Sequence, residues 1–230
     1  QGTWDSCGIS SLAVSLSNFD CSNVGDTFMV YLTATDVNGN SEVDSALVYV
    51  HDSIAPAVLT NNLTIALDSF GTASITLSQV NNGTWDSCGV DSIYLDIQNF
   101  DCSSVGAHTV TLSAVDIHGN GSSNTATITV IDTILPIAIA QNITIYLDSF
   151  GQYTPDPSEI DSGSNDGCGI SSYALDITNL SCADIGSPVS VVLTVTDSNG
   201  NSNSASSTVT VLDAIAPTII TQNITVILDT

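Results

Sequence analysis

Apolar and polar residues alternate along most of the chain. Leu63, Ile65 and Leu67 flank Thr64 and Ala66, and Ala73, Ile75 and Leu77 flank Ser74 and Thr76. Val110, Leu112 and Ala114 are interleaved with Thr and Ser, as are Ala126, Ile128 and Val130. A period of two is the signature of strands with one buried and one solvated face. Further strands are expected over 93–97 and, as a short edge, over 57–60. Gly, Asn, Asp and Ser turns separate these runs. Six or seven short strands with one apolar face each are accommodated by two packed sheets. The expected class is all-β, an Ig-like β-sandwich.

The pattern recurs. Cys7, Cys88 and Cys168 are spaced 81 and 80 residues apart, and Cys21, Cys102 and Cys182 repeat those spacings. Asp52, Asp132 and Asp213 each open Asp-x-Ile-x-Pro, 80 and 81 apart. A unit of about 80 residues follows, the size of one small sandwich. Residues 53–132 and 133–213 are read as complete copies, 1–52 as the C-terminal part of a preceding copy, and 214–230 as the start of the next. The last strand of a copy runs directly into the next proline-bearing joint. That favours an elongated, stiff string of tandem domains over a loose tether.

Composition sharpens the class. The 230 residues include 24 Asp and Glu and no Lys or Arg, a formal net charge of −24. Nothing can neutralise phosphates, so nucleic acid is excluded as an electrostatic partner, as are anionic membrane surfaces. No apolar run is long enough to insert in a membrane. Such a surface repels its own copies and attracts cations. Regularly placed cysteines point to an oxidising, extracellular setting.

Three recurring motifs carry candidate chemistry. Asp-x-Cys-Gly (Asp5–Gly8, Asp86–Gly89, Asp166–Gly169) precedes a second cysteine by 14 residues in each copy. Repeat logic favours local disulfides, Cys7–Cys21, Cys88–Cys102 and Cys168–Cys182, each adding about 3 kcal/mol by chain entropy. Cross-linking between chains is the rival. Asp-x-x-Gly-Asn recurs at Asp36, Asp116 and Asp197. It reads as a hairpin turn in which Asp caps N–H groups and Gly takes positive φ. It also reads as half of a Ca²⁺ site, shared at one pole of the sandwich with the joint residues Asp52, Asp132 and Asp213, since Ca²⁺ takes six to eight oxygens. Finally, Asn62, Asn142 and Asn223 open phase-locked Asn-x-Thr sequons, pointing to N-glycosylation. Ser53 and Thr133 sit in short Asp-Ser/Thr-x triplets of the kind some bacterial O-glycosylation systems use. Trp4 and Trp85 align with Asn165, so no Trp is required by the fold. His51, His108 and His118 do not recur and are read as incidental.

Together, Asp-x-Cys-Gly, Phe100-Asp-Cys-Ser-x-Val-Gly106, Asp-x-x-Gly-Asn and Asp-x-Ile-x-Pro resemble the hyalin repeat (HYR) module and related Ig-like repeats of bacterial secreted proteins. The resemblance implies an immunoglobulin-like sandwich and extracellular adhesion or matrix roles. Many such modules carry a cysteine after the opening Pro and another in the last strand. Residues 57–62 and 124–131 contain none, so that disulfide topology does not carry over. The expected function is structural and non-enzymatic: an extracellular rod, fibre or surface stalk, glycosylated and Ca²⁺-stiffened, whose partners are copies of itself or neighbouring repeats, and glycans. The alternative is an adhesin or a carbohydrate-binding accessory segment of a large secreted protein. Occupied sequons would raise the intact mass above the bare 23.7 kDa; a mass spectrum of the native protein at the bare value would remove the glycan expectation.

Overall fold

In the computed structural model, which describes residues 2–227, the alternating runs form strands and the Gly/Asn/Asp/Ser clusters form turns. The strands are β1 (Ile9–Val14), β2 (Thr27–Asp36), β3 (Ser41–Tyr49), β4 (Leu63–Ala66), β5 (Thr72–Ser74), β6 (Val90–Leu95), β7 (Asn99–Asp101), β8 (Gly106–Asp116) and β9 (Gly121–Ile131). They continue with β10 (Ile143–Tyr146), β11 (Gln152–Tyr153), β12 (Ile170–Leu175), β13 (Leu180–Ser181), β14 (Val189–Asp197) and β15 (Ser202–Leu212). The only α-helical elements among the described residues are two single turns, α1 (Leu77–Val80) and α2 (Pro157–Ile160). The fold is all-β.

The sheets are ordered β1-β2-β3, β4-β9-β8-β6 and β10-β15-β14-β12, with small two-stranded sheets β5-β7 and β11-β13. The chain divides into two compact units, one of residues 1–64, 74–99 and 107–129, the other of 65–73, 100–106 and 130–230. Within the second, β12 and β15 flank β14 antiparallel, and β10 lies parallel to β15 with Ile143 opposite Val209 and Tyr146 opposite Leu212. The same ladder break recurs at one edge, between Ile9 and Ser11, Val90 and Ser92, and Ile170 and Ser172. A bulge repeated at the same phase is a designed feature of the strand, set by the Gly that precedes it. Gly8, Gly89 and Gly169 all adopt positive φ there.

Side chains of one parity fill the cores. In the second unit Ile145, Leu147, Ile160, Leu180, Val191, Leu193, Val195, Val209 and Val211 form one buried cluster, sealed by Tyr153, Leu175 and Ile177 among others. In the first, Val110, Leu112, Ala114 and Ile128 are buried just as fully. Each buried aliphatic side chain contributes about 1.5–3 kcal/mol over its exposed state.

The run at 73–77 departs from the expected strand. β5 stops at Ser74, and Thr76-x-x-Gln79 forms a capping box, the Thr76 N–H donating to Gln79 Oε1 at 2.8 Å. Reciprocal capping satisfies donors that a strand would leave to an absent neighbour, so a helical turn wins locally. Asp156-Pro157-Ser158-Glu159 does the same in α2, where Pro suits the first helical position. Each turn drives one side chain, Val80 or Ile160, completely into the core. The edge expected at 57–60 is reduced to two isolated bridges, Ala57 with Trp85 and Thr60 with Asn81.

The local disulfides Cys7–Cys21, Cys88–Cys102 and Cys168–Cys182 do not form. Cys21 is bonded to Cys88 and Cys102 to Cys168, across 67 and 66 residues, while Cys7 and Cys182 are free and exposed. The reason is strand length. The six residues of β12 stand between Cys168 and Cys182 and rise about 3.3 Å each. They carry the chain roughly 20 Å, whereas bridged Cα atoms lie within about 7 Å. The second cysteine therefore reaches the opposite pole, where the first cysteine of the next copy stands.

Leu193 lies mid-β14 with no exposed area. Leu193→Ala should lower stability by about 2–5 kcal/mol in urea unfolding, whereas Phe150→Ala, at a side chain 86% exposed, should change it by less than about 0.5 kcal/mol. Equal effects would show that the core is misplaced.

Candidate metal centre

Three Asp motifs converge at one pole of a sandwich, and each presents its carboxylate by the same local device. The joint aspartates accept the N–H two residues on: Asp52 Oδ1 from Ile54 at 3.0 Å, Asp132 Oδ1 from Ile134 at 3.0 Å and Asp213 Oδ1 from Ile215 at 2.9 Å. The Asp-x-Cys-Gly aspartates do likewise, Asp86 Oδ1 receiving the Cys88 N–H and Asp166 Oδ1 the Cys168 N–H, both at 2.7 Å. In the hairpin, Asp116 Oδ1 accepts from the N–H groups of His118 and Asn120, and Asp116 Oδ2 from Asn120 Nδ2 at 2.8 Å. Asn120 Nδ2 also reaches the main-chain oxygen of Asp52 at 3.3 Å. Asn201 repeats this between Asp197 Oδ2 and the Asp132 oxygen. The turn expected for Asp-x-x-Gly-Asn is therefore formed, with Gly39, Gly119 and Gly200 all at positive φ, and its Asn ties the hairpin to the joint.

The result is a carboxylate cluster. One oxygen each of Asp52, Asp86 and Asp116 lies within 4.8 Å of the others, with Asp52 and Asp116 buried. Asp132 and Asp166 approach each other within the same limit, and the Asn201 bridge brings the buried Asp197 against Asp132. Cys88 and Cys168 lie beside these clusters, but each is disulfide-bonded and offers no thiolate. Two carboxylates at this distance repel by about 3 kcal/mol at an effective dielectric constant near 20, and no Lys or Arg exists to offset it. Asp132 Oδ2 and Asp166 Oδ2 are buried atoms with no hydrogen-bond partner, a costly state for an acceptor. A donor set of carboxylate and main-chain oxygens suits a hard divalent cation such as Ca²⁺. The clusters also differ in a neighbour: His118 Nδ1 lies 3.0 Å from Asp52 Oδ2, while Asn199 occupies the matching sequence position in the next copy.

Of the six aspartates singled out in sequence, Asp52 and Asp116 fall in one cluster and Asp132 in the other, with Asp197 tied to the Asp132 main chain through Asn201. Asp36 keeps its turn, bonded to Asn38 and Asn40, and lines a groove with Trp4, Asp5 and Asn40. Asp213 is exposed and belongs to no group of three such residues among those described. Asp86 and Asp166 were missed as members of the clusters because the sequence reading of Asp-x-Cys-Gly rests on its cysteine alone. Their recurrence at the same period as the hairpin Asp was the available signal. His118, read as incidental, is paired with Asp52. Asn62 and Asn142 are exposed, as the glycan reading requires, but their recurrence has a backbone cause: Asn62 Oδ1 accepts the Thr127 N–H and Asn142 Oδ1 the Thr208 N–H, each at 2.8 Å. Ser53 and Thr133 are exposed.

No protein-family model matches the chain, and no curated protein matches it in sequence. Among solved structures it is similar to protocadherin gamma B7 extracellular cadherin domains 1–4, at 13% identity and a TM-score of 0.36 over 81% of this chain and 58% of that one. Sidekick-1 immunoglobulin domains 1–4 give 10% identity and a TM-score of 0.37 over 81% and 59%. Human mucin-like protocadherin EC1-2 gives 12% and 0.37 over 70% and 99%. The chain thus spans less than two thirds of the first of these, and its class rests on the sheets described above.

Burial works to raise the carboxyl pKa of Asp116 and Asp197, but donors from the Asn120 and Asn201 side chains and the turn backbone outweigh it and hold both below the usual value. The Asn40 side chain lowers Asp36 likewise. A carboxyl depressed on folding stabilises the fold above its unfolded pKa of about 3.9, and that contribution is lost as pH falls through the lower folded value. Urea midpoints should therefore hold steady from neutrality to about pH 4 and fall below it, with a shallower fall in Asp116→Asn. A decline beginning well above pH 5 would contradict this assignment.

Proposed function

We propose that this chain is a structural segment of an extracellular rod or surface stalk, built from tandem Ig-like sandwiches of about 80 residues (53–132 and 133–213 complete), covalently stapled and stiffened by Ca²⁺. The supporting observation is the pairing of the cysteines. Each disulfide ties the second cysteine of one sequence copy to the first of the next, so tension between copies meets a covalent bond as well as packing. Disulfides of this kind persist outside the cell. Among the described residues no helix is long and apolar enough to cross a membrane.

Calcium completes the reading. At the joint, Asp132, Asp166 and Asp197 together with main-chain oxygens would hold the ion, and Asp52, Asp86 and Asp116 would do so one copy earlier. Binding there neutralises converging carboxylates and fixes joint, Asp-x-Cys-Gly loop and hairpin relative to one another. Glycans on the exposed Asn62 and Asn142, and on Ser53 and Thr133, would shield a surface without basic residues. Adhesion enters through neighbouring repeats and copies of the same chain.

Melting should respond to the ion. At a Ca²⁺ concentration a hundredfold above Kd, binding adds about 2.7 kcal/mol, a rise of several degrees in Tm that excess EDTA reverses. Asp166→Asn should abolish most of the rise at the second cluster. An identical Tm in EDTA and in millimolar Ca²⁺ would eliminate the metal from the proposal.

A further inference from the structure

One flank of the second unit combines an open strand edge with a groove. β10 ends the β10-β15-β14-β12 sheet, so only one of its sides is hydrogen-bonded. The Leu147 N–H donates to the Leu212 oxygen, and successive residues of a strand turn their main-chain groups to opposite sides. Ile143 and Ile145 therefore face β15, and Thr144 and Tyr146 aim their N–H and C=O groups out of the sheet. A groove of about 400 Å³ is lined by all four residues of β10 together with Tyr153 and Glu159. Lining by residues of both parities places this groove at the edge of the strand, not on either face of the sheet.

The chemistry of the groove is peculiar to this copy. Tyr146, Tyr153 and Glu159 stand where the preceding copy has Ala66, Ala73 and Gln79. The fold requires none of the three: Gln79 closes the capping box of α1 as Glu159 closes that of α2, and Ala66 ends the edge strand β4 as Tyr146 ends β10. Tyr146 is 59% exposed. The Tyr153 hydroxyl donates to Glu159 Oε1 at 2.7 Å. That bond, burial, and the negative charges of Glu159 and Asp156 push the hydroxyl up to about 12. The groove is thus anionic, with two tyrosine rings and a row of unused main-chain groups. None of the 230 residues is Lys or Arg, so no stretch of them can neutralise it.

We infer that the β10 edge is a docking site for an extended, basic segment of a partner protein. The segment adds to the sheet as one more strand, its main chain pairing with the N–H and C=O groups of Thr144 and Tyr146. The four residues of β10 span about 13 Å, the length of a short extended peptide. Alternate side chains of the segment fall on opposite faces. On the inner parity, Lys or Arg lays its apolar stem on Tyr153 and brings its charge to Glu159. On the outer parity, the exposed ring of Tyr146 offers a face to a second cation. Main-chain pairing supplies the shape of the site, and charge selects the occupant. β4 lies at the edge of its own sheet, but Ala66, Ala73 and Gln79 offer it neither ring nor charge. The inference is independent of Ca²⁺ at the joints.

A fluorescently labelled Lys-Val-Lys-Val-Lys-Val peptide, titrated with the purified chain, provides the test. Its anisotropy should saturate, and bound peptide should slow hydrogen exchange at the Thr144 and Tyr146 amides by about tenfold or more. The double variant Tyr146→Ala, Glu159→Gln carries the residues of the preceding copy at two exposed positions. It should keep its Tm and bind the peptide about tenfold more weakly. The same peptide with every amide N-methylated keeps its charge and loses its donors, and on the unaltered chain it should also bind about tenfold more weakly. Equal affinity for the methylated peptide, an unaltered affinity in the double variant, or unprotected Thr144 and Tyr146 amides would each overturn the proposal. Protection of those amides by chitohexaose and not by the peptide would overturn it too, and would make the groove a sugar site.

Discussion

A chain with 24 carboxylates and no Lys or Arg must satisfy its acids almost entirely without basic side chains, and that constraint shapes many of its turns. The available donors are backbone N–H groups, so aspartates recur where the chain turns and accept from the residue two positions on. Asp5, Asp20, Asp36, Asp52, Asp68, Asp86, Asp101 and Asp116 all do so. Each bond is charge-assisted, and so stronger than an amide pair. Each also fixes a corner of the sandwich. The device uses one carboxylate oxygen, and in some turns a side chain takes the other, as Asn40 does at Asp36 and Thr72 at Asp68. Where joint, Asp-x-Cys-Gly loop and hairpin meet, the oxygens converge. The same economy that builds the turns therefore gathers carboxylates, and it leaves Asp132 Oδ2 and Asp166 Oδ2 buried without a hydrogen-bond partner.

The strands were legible because alternation and burial are one fact in a half-buried sheet: the parity that puts Leu112 and Ile128 inside also puts the intervening Thr outside. The recurrence of Cys, joint Asp and hairpin Asp at fixed phase exposed the repeat. What sequence could not supply was which pole each cysteine occupies. Cys168 and Cys182 are near in sequence and far apart in the sandwich, because β12 stands between them. Separation along a chain predicts proximity only when no extended element intervenes. Asp86 and Asp166 were hidden for a related reason. Their motif draws attention to its cysteine, and only the folded geometry brings its aspartate against Asp52 or Asp132.

The single-turn helices were obscured in another way. Ala73, Ile75 and Leu77 fit a period of two, but a four-residue capping box imposes its own hydrogen bonds, and local satisfaction prevailed over the longer pattern. The turn still serves the core by another route, since Val80 and the matching Ile160 become completely buried. Burial was thus predictable where the element type was not.

The disulfide topology changes what a copy is energetically. A local bridge would close a loop of roughly 15 residues, worth about 3 kcal/mol by chain entropy; closing one of roughly 67 is worth about 4 kcal/mol. The larger difference is qualitative. A local bridge stabilises one copy and leaves its neighbour indifferent. The bridge from Cys21 to Cys88 instead restrains the denatured state of consecutive copies together, so that one cannot be lost without loosening the next. The Asn bridges act on the same pole, tying hairpin to joint through Asp52 and Asp132. Stability in such a chain resides in the joints as much as in the cores.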